Sequence, residues 1–186
     1  MAKPVLKITT PLNGYTKTIN GLKIEEYQFD SLISLAIPLN GERKCKLNFR
    51  KTLGESMPDI EKSIVDKRGA LGFRIGLDLL LVCIASNSSF PRKTLISLKQ
   101  SFYVTDQTGG WCGIRVQGEC VIEMLERICP LNLSLKVFDI GDVKRTVMDH
   151  LNVIILRVTE KSFILFSASS SSGSFLKSIE TSSRNI

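Results

Sequence analysis

The chain has 186 residues, 43% of them hydrophobic, enough for one domain or two small ones with a real core, which excludes disorder as the default state. Lysine and arginine total 25 against 18 acids, a formal charge of +7. Such a balance fits nucleic acid, an anionic membrane surface or an acidic protein partner, and does not choose among them.

No apolar run approaches the roughly 18 residues of a membrane span; the longest is Leu79 to Ala85. The opening MAKPVLKITTPLNG lacks the apolar core of a secretory signal. The expected location is the cytoplasm, with no membrane partner. Five cysteines occur, none in a CxxC pair. They are expected to be reduced and buried as small hydrophobes. With one histidine and such wide cysteine gaps, a zinc tetrad is not expected.

Residues 1–21 read as a polar, extended N-terminal lead over another surface. Leu22 to Pro38 holds two candidate strands around Asp30-Ser31, the second ending at a proline that cannot donate to a ladder. Asn40-Gly41 marks a turn. Glu42 to Leu53 has helical character and Gly54 closes it. Gly54 to Lys67 reads as loop. Gly69 to Ala85 reads as a hairpin turning near Gly76 and Asp78. Ser88 and Ser89 are candidate N-caps ahead of Pro91, with Leu95, Leu98 and Phe102 on one helix face.

Thr108-Gly109-Gly110 is the expected joint. Residues 22–108 then form a first α+β half and 109–186 a second. Trp111 to Gln117 alternates, with Cys112, Ile114 and Val116 on one face, the period of a half-buried strand. Val121, Met124, Leu125 and Ile128 form a helical stripe, with Glu119 in the first turn and Pro130 ending it. Val143 to Met148, a turn at Asp149-His150, and the β-branched run Leu151 to Val158 predict a hairpin whose second strand is covered on both faces. Phe163 to Ala168 follows. The serine-rich stretch then caps a last helix, Phe175 to Glu180.

A faint repeat links the halves. FRIGLDLLLVCIAS (Phe73 to Ser86) lies ungapped over LRVTEKSFILFSAS (Leu156 to Ser169), matching Arg74 to Arg157. The fold class expected is α+β, with two linked, pseudo-repeated β-α-β-β-α halves and antiparallel sheets.

Catalytic patterns are hard to find. His150 falls at a hairpin tip, where a nucleophile would need it within reach. Glu119 and Glu123 sit one helix turn apart and repel, which favours a solvated face. Asp106 and Asp149 flank turns, where aspartate bonds its own backbone. GALGFRIG has neither dinucleotide nor P-loop spacing, so its glycines are read as allowing close packing. Arg43, Lys44, Lys46, Arg50 and Lys51 form a basic cluster with one aromatic neighbour, Phe49, where single-strand binding needs stacking aromatics. A helix facing an acidic protein surface is the preferred reading; no nucleic acid is expected. The sequence nominates no catalytic, cofactor-binding or metal residue.

The second half resembles the gamma subunit of heterotetrameric sarcosine oxidase. The residues that carry the resemblance are VTDQTGGW (Val104 to Trp111), IRVQGECVIEMLERICPLNL (Ile114 to Leu133), KRTVMDHLNVIILRV (Lys144 to Val158), FILFSASSSSGSFL (Phe163 to Leu176) and the close SSRNI. Before Val104 the likeness is looser, mainly SLISLAIPLNG. Asn132 stands where that family often has an acid, so no role is assigned to it. The resemblance implies a fold like the folate-binding modules of aminomethyltransferases. It implies a non-catalytic gamma subunit with no cofactor of its own. Its partners are then alpha, beta and delta subunits that carry FAD, FMN, NAD, tetrahydrofolate and zinc. The complex demethylates sarcosine oxidatively to glycine, makes hydrogen peroxide and passes the one-carbon unit to tetrahydrofolate. The alternative is an independent folate-binding one-carbon protein, with Asp106 or Asp149 as the acid that holds the pterin. A third reading, an RNA-binding module, rests on Arg43 to Lys51.

Overall fold

The computed structural model describes residues 9–186. The chain runs β1 (Thr16–Ile19), β2 (Leu22–Glu26), β3 (Phe29–Ala36), α1 (Glu42–Leu53), β4 (Ser63–Val65), β5 (Ala70–Arg74), β6 (Leu79–Ala85), a 3-10 helix (Arg92–Gln100), β7 (Tyr103–Asp106), β8 (Trp111–Gln117), α2 (Val121–Glu126), β9 (Val143–Met148), β10 (Leu151–Thr159), β11 (Ser162–Ala168) and α3 (Ser172–Arg184). The strands form two antiparallel sheets, ordered β4-β5-β6-β3-β7 and β1-β2-β8-β11-β10-β9. The class is α+β, as the sequence predicts.

Alternating side chains sort the core into three layers. Between the sheets lie Leu32, Phe73, Leu81, Ile154, Leu156 and Phe166, with Phe73 stacked on Phe166 at 5.6 Å. On the outer face of the first sheet, Phe49 and Leu53 of α1 and Leu95 and Leu98 of the 3-10 helix meet Leu35, Val82 and Ile84. On the outer face of the second, Met124, Leu125, Phe175 and Ile179 cover Ile114, Val116, Ile155 and Leu165. The order is helix, sheet, sheet, helix. Among the described residues no helix is long and apolar enough to cross a membrane.

Helix α1 shows why these residues take these forms. Cys45, Phe49 and Leu53 recur every fourth position and are buried, one stripe of a 3.6-residue period. Gly54 adopts φ 82° and donates its N–H to the Arg50 carbonyl, the left-handed cap that a residue with a Cβ resists. Arg68 adds a second stop: its guanidinium donates to the Thr52 and Leu53 carbonyls at 3.3 and 3.5 Å and pairs with Asp66 at 2.8 Å.

The two halves are tied by exchanged strands. β2 leads into β3 of the first sheet yet pairs with β8 of the second. β7 leads into β8 of the second sheet yet pairs with β3 of the first. The ladders extend alike: Tyr27 N donates to Gly113 O at 2.9 Å, and Gln107 N donates to Leu32 O at 2.8 Å. At the far corner Lys62 bridges Asp142, flanked by Ser63 N to Gly141 O at 2.8 Å and Val143 N to Glu61 O at 2.9 Å. Each half thus supplies strands to the other's sheet.

Several expectations need correction. Residues 1–8 of the expected N-terminal lead lie outside the described residues, while Thr16–Ile19 of that lead is strand. It makes a tight hairpin with β2 through Asn20 and Gly21, both at positive φ. Leu22–Glu26, assigned from sequence to the first half, belongs to the second sheet, because its apolar residues Leu22 and Ile24 pack under α2 and α3. Residues 63–65, read as loop, form β4, a strand that the β-α-β-β-α reading leaves out. The Trp111, Gly113, Arg115, Gln117 face of β8, opposite the Cys112, Ile114, Val116 face, turns toward the other sheet. Glu119 precedes α2 instead of sitting in its first turn. No side-chain cap forms at the 3-10 helix or at α3: Ser88 Oγ donates to Arg68 O, and Ser169 Oγ donates to Gly109 O. Cys120 is exposed, while Cys45, Cys83, Cys112 and Cys129 are buried and all five thiols are free.

Candidate functional site

The face of β8 that carries Trp111, Gly113 and Arg115 opens on a cavity. Its volume is about 570 Å³, within the range of small-molecule sites. Tyr27, Ile64, Leu71, Arg115, Leu156 and Ile164 line it, so both sheets contribute. The strand exchange creates it: β2 arrives beside β8 and then turns at Tyr27 to enter β3, leaving the inter-sheet layer unfilled at that end.

Arg115 is the charged group that this geometry singles out. It lies in the middle of β8, opposite Glu25 on one neighbour and Ile164 on the other. Its guanidinium sits 5.2 Å from the centroid of the Tyr27 ring, a cation–π contact. Its Nε is shielded from solvent and finds no hydrogen-bond partner among the described residues. Both nearby carboxylates are committed elsewhere. Glu25 pairs with Lys23 at 2.6 Å. Glu26 accepts from Thr10 Oγ1 at 2.6 Å, Leu12 N at 2.9 Å and Gly14 N at 2.6 Å. Burial pushes the Tyr27 phenol well above its usual range, with the neighbouring Cys83 adding to the effect and Arg115 opposing it. The ring stays neutral and serves as an aromatic wall, edge-on to Phe166 at 5.9 Å.

The residues weighed from sequence lie elsewhere. Asp106 accepts from Thr108 Oγ1 at 2.7 Å and Thr108 N at 2.9 Å, and these bonds hold its carboxyl below the usual range. Asp149 accepts from Ser178 Oγ at 2.6 Å. Neither lines the cavity. Asp149 and His150 are the two-residue tip of the β9–β10 hairpin, both at positive φ, the pattern of a type I′ turn. Glu119 meets Lys161 at 2.5 Å on the surface. The basic residues of α1 project outward as expected, with Lys46 paired to Glu42 at 3.1 Å. Among the described residues, His, Cys, Asp and Glu side chains form no group of three that could hold a metal. Burial raises the thiols of Cys45, Cys83, Cys112 and Cys129, that of Cys112 to about 12, and so keeps these four protonated and inert.

The sequence does not single out Arg115, because strand alternation tells which face it shares with Trp111 and Gly113 but not what that face meets. One signal was available. Asn20-Gly21 is a strong two-residue hairpin signature, and reading it would have placed an extra hairpin at the N-terminus in need of a sheet.

No family model matches the sequence, and no curated protein matches it by sequence. Solved structures do share its fold. A chain of heterotetrameric sarcosine oxidase from Corynebacterium sp. U-96 superposes with a TM-score of 0.76 at 17% identity, over 91% of this chain and 87% of that one. The glycine cleavage system aminomethyltransferase T from Bartonella henselae superposes with a TM-score of 0.64 at 11% identity, over 95% of this chain. This chain spans 58% of that aminomethyltransferase. The fold of this protein is the one found in sarcosine oxidase and aminomethyltransferase.

Proposed function

We propose that this chain is the gamma subunit of a heterotetrameric sarcosine oxidase, a non-catalytic member that braces the assembly. The observation that carries this reading is the extent of the match. It runs through most of both chains, so it takes in both halves and the strand exchange. The matched chain is therefore of similar length, a small subunit in its own right. The segments from Val104 onward that resemble this subunit in sequence support the same reading. Its partners are then the alpha, beta and delta subunits, which hold FAD, FMN, NAD, tetrahydrofolate and zinc. The assembly oxidises sarcosine to glycine and hydrogen peroxide in the cytoplasm and delivers the one-carbon unit to tetrahydrofolate. The charge of +7 suits an acidic partner surface, and exposed Arg43, Lys44, Arg50 and Lys51 on α1 offer cations to it.

The test is co-expression with alpha, beta and delta subunits of such an enzyme. The expected result is co-elution as one assembly, with sarcosine turnover that falls when this chain is left out. Equal assembly and equal turnover without it overturn the reading. The alternative, an independent folate-binding protein, needs an acid turned into the cavity to hold the pterin. Asp106 and Asp149 lie outside the lining, and Glu25 and Glu26 already have partners, so the residues present do not fit that group.

A further inference from the structure

Arg115 makes the cavity more than a packing defect. Arg115 is half-buried, and its Nε is shielded from water beside a space walled by Leu71, Leu156, Ile164 and the Tyr27 ring, where an unpaired donor is costly. A guanidinium in that position normally finds a carboxylate, and its planar fork matches one with two parallel bonds. Glu25 stands directly across the ladder and is turned to Lys23 instead. Glu26 is held by Thr10 and two backbone amides. The Nε of Arg115 remains without a partner among the described residues. The pseudo-equivalent position in the first half is Ser34, on the strand that pairs with β7 as β8 pairs with β2. The charge is therefore a departure from the repeat, placed where the two sheets part. Of the remaining polar groups of the lining, Gln28, Ser63 and Asn87 are neutral and the fully buried Arg157 is cationic, so nothing in the wall repels an anion except the two committed glutamates.

We propose that this cavity binds a small carboxylate with an apolar, planar body, its oxygens on the Arg115 fork and its body between Leu71, Leu156 and Ile164. The site is independent of the subunit reading above and holds whichever assembly the chain joins. The aromatic wall supplied by Tyr27 favours a flat body, and the volume of about 570 Å³ admits a bicyclic one.

The experiment uses the full chain with 2-naphthoate and its neutral isostere 2-naphthamide as probes, read by calorimetry and by probe fluorescence. Naphthoate is expected to bind at least about tenfold more tightly than the amide, the effect of one charge-assisted contact. Arg115→Met is expected to erase that difference while leaving the far-ultraviolet circular dichroism unchanged. Arg115→Lys is expected to keep part of it, since a lysine supplies charge without the fork. The acid-against-amide comparison on the unaltered chain tests the site even if a variant misfolds. Equal binding of acid and amide, no binding of either, or acid binding that survives Arg115→Met in a folded chain overturns the proposal.

Discussion

The two halves share a ladder and differ in what they do with a matched arginine. Arg74 closes β5 and Arg157 lies in β10, each reaching the carbonyl of the third residue onward, Leu77 and Glu160. Arg74 also donates to Gly76 O at 3.1 Å and to the half-exposed Glu42 at 3.4 Å. Its charge therefore has a counterion. Arg157 is fully buried, bonds to Leu133 O, lies over the Phe163 ring at 4.7 Å, and leaves its Nε unpartnered among the described residues. Burial lowers its tendency to hold a proton, with Asp139 the leading opposing influence. The lesson is that a repeat preserves backbone pairing and the tie across a turn, while the electrostatic setting of that tie drifts.

The strand exchange is where the comparison breaks most easily. At Gly113 an added Cβ would lie 2.7 Å from the Tyr27 carbonyl oxygen, a backbone atom in the exchanged ladder that has no room to yield. Gly113→Val is expected to cost upward of about 3 kcal/mol, seen in urea unfolding as a large drop in midpoint. In the first half Gly72 would meet the Phe49 ring instead, at 3.0 Å, so Gly72→Ala should cost clearly less than Gly113→Val because a side chain can shift. A reversed order would mean that the exchanged strand does not hold the halves together.

A smaller effect separates the two arginines. Arg74→Met leaves two turn carbonyls and strips Glu42 of its counterion, so a loss of about 2 kcal/mol is expected. Arg157→Met also removes a poorly solvated charge, and that relief offsets part of the lost bonding. A loss of about 1 kcal/mol or less is expected. Thermal unfolding of the two variants side by side measures the difference, and equal losses would show that the two burials are energetically alike.

An effect of similar size concerns the stop of α1, which the second half does not reproduce. The side-chain bond from Arg68, helped by its backbone N–H, holds the Asp66 carboxyl below its usual value. A carboxyl depressed in the folded state contributes fully above its unfolded value, about 3.9. That contribution fades as pH falls through the lower folded value. Asp66→Asn should therefore cost about 1–2 kcal/mol at neutral pH, and the gap to the unaltered chain should narrow below about pH 4. A gap constant from pH 7 to pH 3 would show that the pair contributes nothing electrostatic.

Local patterns carried most of the elements into view. The fourfold spacing of Cys45, Phe49 and Leu53 with Gly54 behind them predicts α1 at its observed bounds. The β-branched run from Leu151 predicts a strand buried on both faces, and the Phe73 to Ser86 match predicts two equivalent hairpins. These readings succeed because period and capping are properties of neighbours in sequence. β4 escaped because three residues flanked by Pro58 and Gly69 are too few to show an alternation.

What the sequence alone determined is the inventory: an α+β chain of two related halves, with basic residues spread over α1 and four cysteines, Cys45, Cys83, Cys112 and Cys129, that pack as hydrophobes. What only the tertiary structure decided is the pairing across the halves. Nothing local tells β2 to leave its own sheet for β8, since a strand satisfies its backbone equally well on the bare edge of either sheet. That choice depends on which sheet has a bare edge and an apolar face to cover Leu22 and Ile24. The same choice places Arg115 beside Tyr27 at the mouth of an inter-sheet cavity, because a side chain acquires its surroundings from residues that are distant in sequence and close in space.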